Sequence, residues 1–294
     1  DTTVTINGGS IKAQGGENAD GIGSSDGNTT PKNALGEEVT AYTIDNPDSK
    51  DIAIDGKIYP SVHSESDKKV YVYLSMSEHY LAQGSDVYKL SYDGSFVKTE
   101  DNNSDNPFII KGINLEEGID YYFDGSVLHI ETQKEITISN KIPTQATSCT
   151  ISVLSRSANI VLAGVNISSD SSDALSLQGD GSQTVTITLA DGTVNRLVGE
   201  GERAGLYTDY CKLVINGGVR GDGQLEVSSG RGRAGIGSYN SWADITINGG
   251  IIDVRGGEHG AGIGGGDCSS NITVTINGGK IIAEGGTYGA GIGG

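Results

Sequence analysis

The sequence predicts an all-β chain: a right-handed parallel β-helix with three short strands per coil, joined to a small all-β, sandwich-like domain. Three observations carry this. Glycine is abundant, 46 of 294 residues, and stands between short apolar alternations such as Ile245/Ile247, Ile252/Val254 and Ala261/Ile263. Period-2 alternation bounded by Gly-Gly or Asn-Gly is strand-and-turn chemistry, and glycine supplies positive φ there without steric cost. The pattern also recurs at a fixed interval. Asn-Gly-Gly begins at Asn216, Asn248 and Asn277, and Ala-Gly-Leu/Ile ends at Leu206, Ile236, Ile263 and Ile292. Repeats of about 30 residues mark a solenoid. Three strands per repeat return the chain about one strand spacing, roughly 4.8 Å, along an axis, and parallel crossovers are right-handed.

Taken in order, residues 1–30 read as one coil, similar to "TINGG…GGxxGAGIGG" and the end of a preceding repeat unit. Residues 31–112 differ: glycine thins, and seven of the 13 tyrosines fall here. "VTAYTI", "DIAIDGKIYP", "KVYVYLS" and "VYKLSYDGSFVKT" read as strands of a small β-domain, the last with a Tyr-Asp-Gly-Ser hairpin turn. "DNNSDNP", Asp101 to Pro107, reads as an acidic linker. Residues 113–294 read as the β-helix, with weaker coils from Ile136, Asn159 and Thr184 and glycine-rich ones after them. The chain opens at Asp1, has Met76 as its only methionine and stops within a coil, so it reads as cut from a longer array whose exposed ends could associate head to tail by strand addition.

Composition limits the partners. The formal net charge of -18 argues against nucleic acid or an anionic membrane surface, and no apolar run reaches the ~18 residues needed to cross a bilayer. Cys149, Cys211 and Cys268 have neither CxxC spacing nor an even count, so neither a disulfide framework nor a zinc site is indicated.

"GIDYYFDGSVLHIETQKEITIS", "ANIVLAGVNISS", "VTITLADGTVNRLVGEG" and "LVINGG…GQLEV", followed by the serial "TINGG…GAGIGG" coils, resemble a carbohydrate-binding β-helix family of Gram-positive and gut bacterial surfaces and large adhesin-like repeat proteins. The resemblance implies a pectate-lyase-like fold without lyase activity, an extracellular, cell-surface location, and binding to a polysaccharide (pectin- or cellulose-like) or a host surface ligand. It requires no cofactor, with calcium as an optional one.

The residues themselves give candidates, each with a plainer alternative. Trp242, Tyr239, Tyr207, Tyr210 and Tyr288 lie in turns beside glycine corners, where rings either stack on sugar faces or cover corner backbone. Asp170, Asp173, Asp180 and Asp191 lie in "SSDSSD", "GDG" and "ADG"; adjacent coils could pool their oxygens around calcium, or each is an ordinary turn aspartate. Asn7, Asn216, Asn248 and Asn277 either form a stacked amide ladder or are separate turn residues. Catalysis finds little support. The carboxylate, His and Arg series of polygalacturonases is absent, His259 next to Gly260 reads as a solvated loop histidine, and Arg203, Arg231 and Arg233 read as a solvated corner. A non-catalytic surface binder or adhesin is expected, with a ligandless stalk next and a pectin-degrading enzyme last.

Overall fold

The structure is a computed structural model that describes residues 38–48, 50–59, 68–75, 79–90, 96–98 and 106–294. The coil expected at 1–30, and Asn7 with it, lie outside the described residues. The described residues contain no helix. The chain divides into two units.

The smaller unit holds two antiparallel sheets, one pairing Val39–Asp45 with Lys69–Ser75, the other including Ile52–Ile54, Tyr80–Gln83, Asp86–Leu90 and Phe96–Lys98. Alternation turns Tyr42, Ile44, Val70, Val72 and Leu74 inward from one sheet, and Ile52, Ile54, Leu81 and Leu90 from the other, into one shared core. Two sheets over one apolar layer make the sandwich-like domain.

The larger unit is the parallel β-helix. Its first sheet runs through Phe108–Lys111, Glu135–Asn140, Ala158–Leu162, Thr184–Leu189, Cys211–Gly217, Ala243–Ile247 and Ile272–Ile276. The second stacks Asn166–Ser169, Val194–Gly199, Gln224–Ser228, Ile251–Arg255 and Lys280–Glu284. The third runs through Tyr121–Phe123, Val127–Ile130, Thr150–Leu154, Leu175–Gln178, Leu206–Asp209, Ile236–Ser238, Ile263–Gly265 and Ile292–Gly293. From Ala158 onward each coil visits the three sheets in that order, giving five full turns.

Register shows why the sequence folds this way. Ile136, Ile160, Ile187, Ile215, Ile247 and Ile276 fall opposite one another on successive strands of the first sheet. Leu128, Ile151, Leu175, Leu206, Ile236, Ile263 and Ile292 do the same on the third, and Ile167, Leu197, Val227, Val254 and Ala283 on the second. Apart from the exposed Ile276 and Ile292 of the last coil, the three columns meet in one core. A one-residue slip on any strand would turn its whole aliphatic set to solvent, so register is strongly specified.

The start of the helix is closed by antiparallel pairing. Phe108–Lys111 pairs with Glu135–Asn140, and Tyr121–Phe123 with Val127–Ile130. Phe108 is buried in the helix core, which places this strand in the helix, ahead of the boundary expected at 113. Glycine is required where successive coils approach most closely. A Cβ on Gly264, whose φ is +136°, would stand 1.8 Å from the Gly293 carbonyl oxygen, and one on Gly257 would stand 1.8 Å from that of Gly230. Rungs cannot stack that closely around a side chain.

Candidate functional site

The third sheet presents an open polar groove. Because Leu128, Ile130, Ile151 and Leu175 point into the core, their neighbours His129, Ser152 and Ser176 point out, and register aligns these three with Tyr207 in one outward column. Three rung steps from His129 to Tyr207 span about 14 Å. A groove of about 310 Å³ runs over this column, lined among others by His129, Ser152, Asp173, Ser176, Gln178 and Arg203. That volume lies at the low end for ligand sites.

One end is an aromatic platform. Tyr122 faces His129 across the antiparallel pair, and the two rings stack at 4.4 Å with 15° between their planes. The imidazole is held from its edge: His129 Nε2 lies 3.0 Å from Asp124 Oδ2. The bond to His129, with those from the backbone N–H groups of Val127 and Ser126, holds the Asp124 carboxyl well below the usual carboxylate range. Tyr122 is 41% exposed, so the stack meets solvent. Along the floor, Gln178 Nε2 donates to Ser176 Oγ at 3.1 Å, and Asp173 Oδ1 accepts from the Ala204 N–H at 2.7 Å.

Beyond Ser176 the column continues to Tyr207, only 8% exposed. Burial first, then the Asp209 carboxylate, pushes its hydroxyl up to about 12, so it stays protonated. Arg233 covers it, 5.6 Å above the Tyr207 ring and 4.0 Å from that of Tyr239.

The five aromatics read as candidate sugar-stacking rings do not gather in one place. Tyr207 is covered and Tyr239 carries Arg233. Tyr210 and Trp242 meet edge-to-face at 6.2 Å at another corner, the indole lying over Gly181. Tyr288 stacks on His259 at 4.7 Å. None of the five lines the groove. The ring stacked on the groove's His129 is Tyr122, which was not among the candidates; the signal was the Asp-Gly turn that folds His129 back onto it.

The four aspartates serve turns. Asp191 accepts from the N–H groups of Arg220 and Gly221 one coil on, at 2.9 and 3.1 Å. Asp180 accepts from the Ser182 hydroxyl and N–H, which lower its pKa. Asp173 holds Ala204, and Asp170 accepts from Arg203 through its carbonyl oxygen, not its carboxylate. Among the described residues no three His, Cys, Asp or Glu side chains gather as a group that could hold a metal ion. Asn216, Asn248 and Asn277 hydrogen-bond in series: Asn248 Nδ2 donates to Asn216 Oδ1 and Asn277 Nδ2 to Asn248 Oδ1, each at 2.8 Å.

A second groove, on the outer face of the second sheet, is lined by Arg196, Glu226, Asp253 and Arg255. Three of these four charges are tied between rungs: Arg196 Nε lies 2.8 Å from Glu226 Oε2, and Arg255 Nε lies 3.2 Å from Glu284 Oε2. Both arginines are thus already committed to carboxylates.

No curated protein matches the chain. No solved structure matches it either. The β-helix repeat family does match, over residues 4–26, 245–267 and 274–294. The second of these stretches runs from the first sheet through the second to the third, one coil of the fold described above. The chain thus carries β-helix repeats wound into a parallel β-helix.

Proposed function

We propose that this β-helix is a non-catalytic carbohydrate-binding module displayed outside the cell. The observation that carries the reading is the groove on the third sheet: an exposed Tyr122–His129 stack at one end and hydroxyl, amide and carboxylate groups along the floor. Sugars are bound by this combination of a flat ring face and planar polar groups. A binding role is favoured over hydrolysis because the groove lining holds one carboxylate, Asp173, where glycoside hydrolysis ordinarily uses two.

A glycan array probed with the intact chain tests the reading. Tyr122→Ala should weaken binding, and Ser152→Trp, which fills the groove from a half-exposed position, should abolish it without unfolding the helix. Binding untouched by both substitutions would refute the site. One observation favours a second reading, a stiff surface spacer: the second sheet and the Asn216–Asn248–Asn277 series are stitched rung to rung by their own side chains. A blank array would leave that reading standing.

A further inference from the structure

We propose that the groove recognises a glycan through one acidic sugar set among neutral ones, whose anionic group is held by Arg203 and Arg233. This rests on the reading of the groove as a glycan site and adds the class of ligand.

The chain has seven arginines. Five pair with a carboxylate: Arg156 with Glu131, Arg196 with Glu226, Arg220 with Asp222, Arg231 with Glu258, and Arg255 with Glu284. In so acidic a protein that is the expected fate of an arginine. Arg203 and Arg233 are the exceptions, with no carboxylate of the described residues at ion-pair distance. They are also structural equivalents. Each closes a turn by donating its N–H three residues back, Arg203 to the Glu200 carbonyl at 3.0 Å and Arg233 to that of Gly230 at 3.2 Å. The turns are consecutive, since the Gly230 N–H donates to the Arg203 carbonyl at 2.8 Å.

Both side chains reach back one coil. Arg203 Nε donates to the Asp170 carbonyl oxygen at 3.4 Å, and Arg233 Nε to that of Glu202 at 2.8 Å. The stack on Tyr239 fixes Arg233 further. Each guanidinium is thus oriented through Nε while its terminal N–H groups make no hydrogen bond to the described residues. Arg203 lines the groove, and Arg233 lies over Tyr207, the next residue in register after the groove's Ser176. A pre-oriented fork with unused donors matches the planar oxygens of a carboxylate or the oxygens of a sulfate.

The surroundings decide how many charges the ligand carries. Asp173 lines the same groove, and Asp209 acts on Tyr207 from beside it. The net charge of the chain is -18. Screening confines a charge's influence to about 8 Å at physiological salt. One anion seated on the two arginines therefore feels them above all, while a polymer charged at every sugar meets the acids around them. Asp173 and Ser176 remain to take hydroxyl groups of the neutral neighbours.

The experiment uses the full chain on an array pairing each acidic oligosaccharide with its carboxyl-reduced twin, extended by titration with a hyaluronan hexasaccharide, its reduced form, a keratan sulfate hexasaccharide and a galacturonate hexamer. The acidic member should bind at least about tenfold more tightly than its twin, the scale of one charge-assisted hydrogen bond, and the continuous polyanion should bind more weakly. Arg203→Ala should erase the preference and Arg203→Lys restore part of it, while Arg231→Ala, whose guanidinium is acid-paired, keeps it. Preference for the sulfated over the carboxylated hexasaccharide would identify sulfate as the anion. Equal binding of acidic and reduced twins, or a preference surviving Arg203→Ala, would overturn the proposal and leave the glycan groove intact. Loss of all binding by the unmodified chain would instead remove the groove reading itself.

Discussion

Replacement of Asn195 by alanine should be among the most damaging single changes to this helix, although nothing in "GTVNRLVG" draws attention to it. The side chain is 0% exposed. Its Oδ1 accepts from the N–H groups of Gly164 and Val165 at 2.8 and 3.0 Å, and its Nδ2 donates to the Gln224 carbonyl at 3.0 Å. One amide thus ties the preceding coil to the following one. Alanine would strand two buried N–H donors, because Gly164 and Val165 have no other acceptor among the described residues. At ~1–3 kcal/mol for each unsatisfied buried group, and with the Nδ2 bond to Gln224 removed as well, a cost of about 3–5 kcal/mol follows. Asn248→Ala removes two ladder bonds from an exposed side chain, where water replaces the partner, and should cost at most ~1 kcal/mol. Guanidinium unfolding followed by circular dichroism measures both through the midpoint, provided the slope is unchanged. Equal costs, or a costlier Asn248→Ala, would refute the reasoning that burial and not repetition sets an asparagine's worth.

Three further outcomes are expected. Gly264→Ala forces a Cβ to 1.8 Å from the Gly293 oxygen at φ +136° and should destabilise by more than ~2 kcal/mol, whereas Gly201→Ala, at φ +63° with open space around it, should cost only about 1 kcal/mol; thermal unfolding of the two variants decides. Asp120, bonded to Lys134 at 2.8 Å and to the Glu116 N–H at 2.9 Å, has its pKa lowered from 3.8 to about 2, chiefly by Lys134. The folded value lies below the unfolded one, so its stabilisation is complete above about pH 4 and is lost as pH falls through about 2. Asp120→Asn should lower stability at neutral pH and flatten the acid limb of a pH–Tm profile, and an unchanged limb would refute the assignment. Trp242→Ala should cost roughly 1 kcal/mol by removing the edge-to-face packing on Tyr210 yet leave glycan affinity unchanged; an affinity loss in the titration would restore the ring to the site.

Within the sequence, the regular features were legible because they repeat. Period-2 alternation placed Ile187, Ile215 and Ile247 on the inner face of their strands, and equal spacing placed Asn216, Asn248 and Asn277 at one phase. The candidate site was legible only in its residue types. Trp242 and Tyr210 are aromatics beside glycine corners, as the pattern suggested, but the corner folds them onto each other. The aspartates sit in turns, as expected, but their oxygens face backbone N–H groups of the same or next coil.

Sequence by itself determined the coil, its strands and its aliphatic columns, since each follows from local alternation and turn chemistry that adjacent coils must superpose. Tertiary structure alone decided which asparagine is buried between coils, which ring flanks the groove and which two arginines lack an acid. The ring is set by the short hairpin that brings Tyr122 onto His129, and the asparagine and arginines by side chains reaching backbone 29 to 33 residues away, as Asn195 meets Gly164 and Gln224 and Arg203 meets Asp170. Corner length varies from coil to coil, and a one-residue change there redirects a side chain without disturbing the strands on either side.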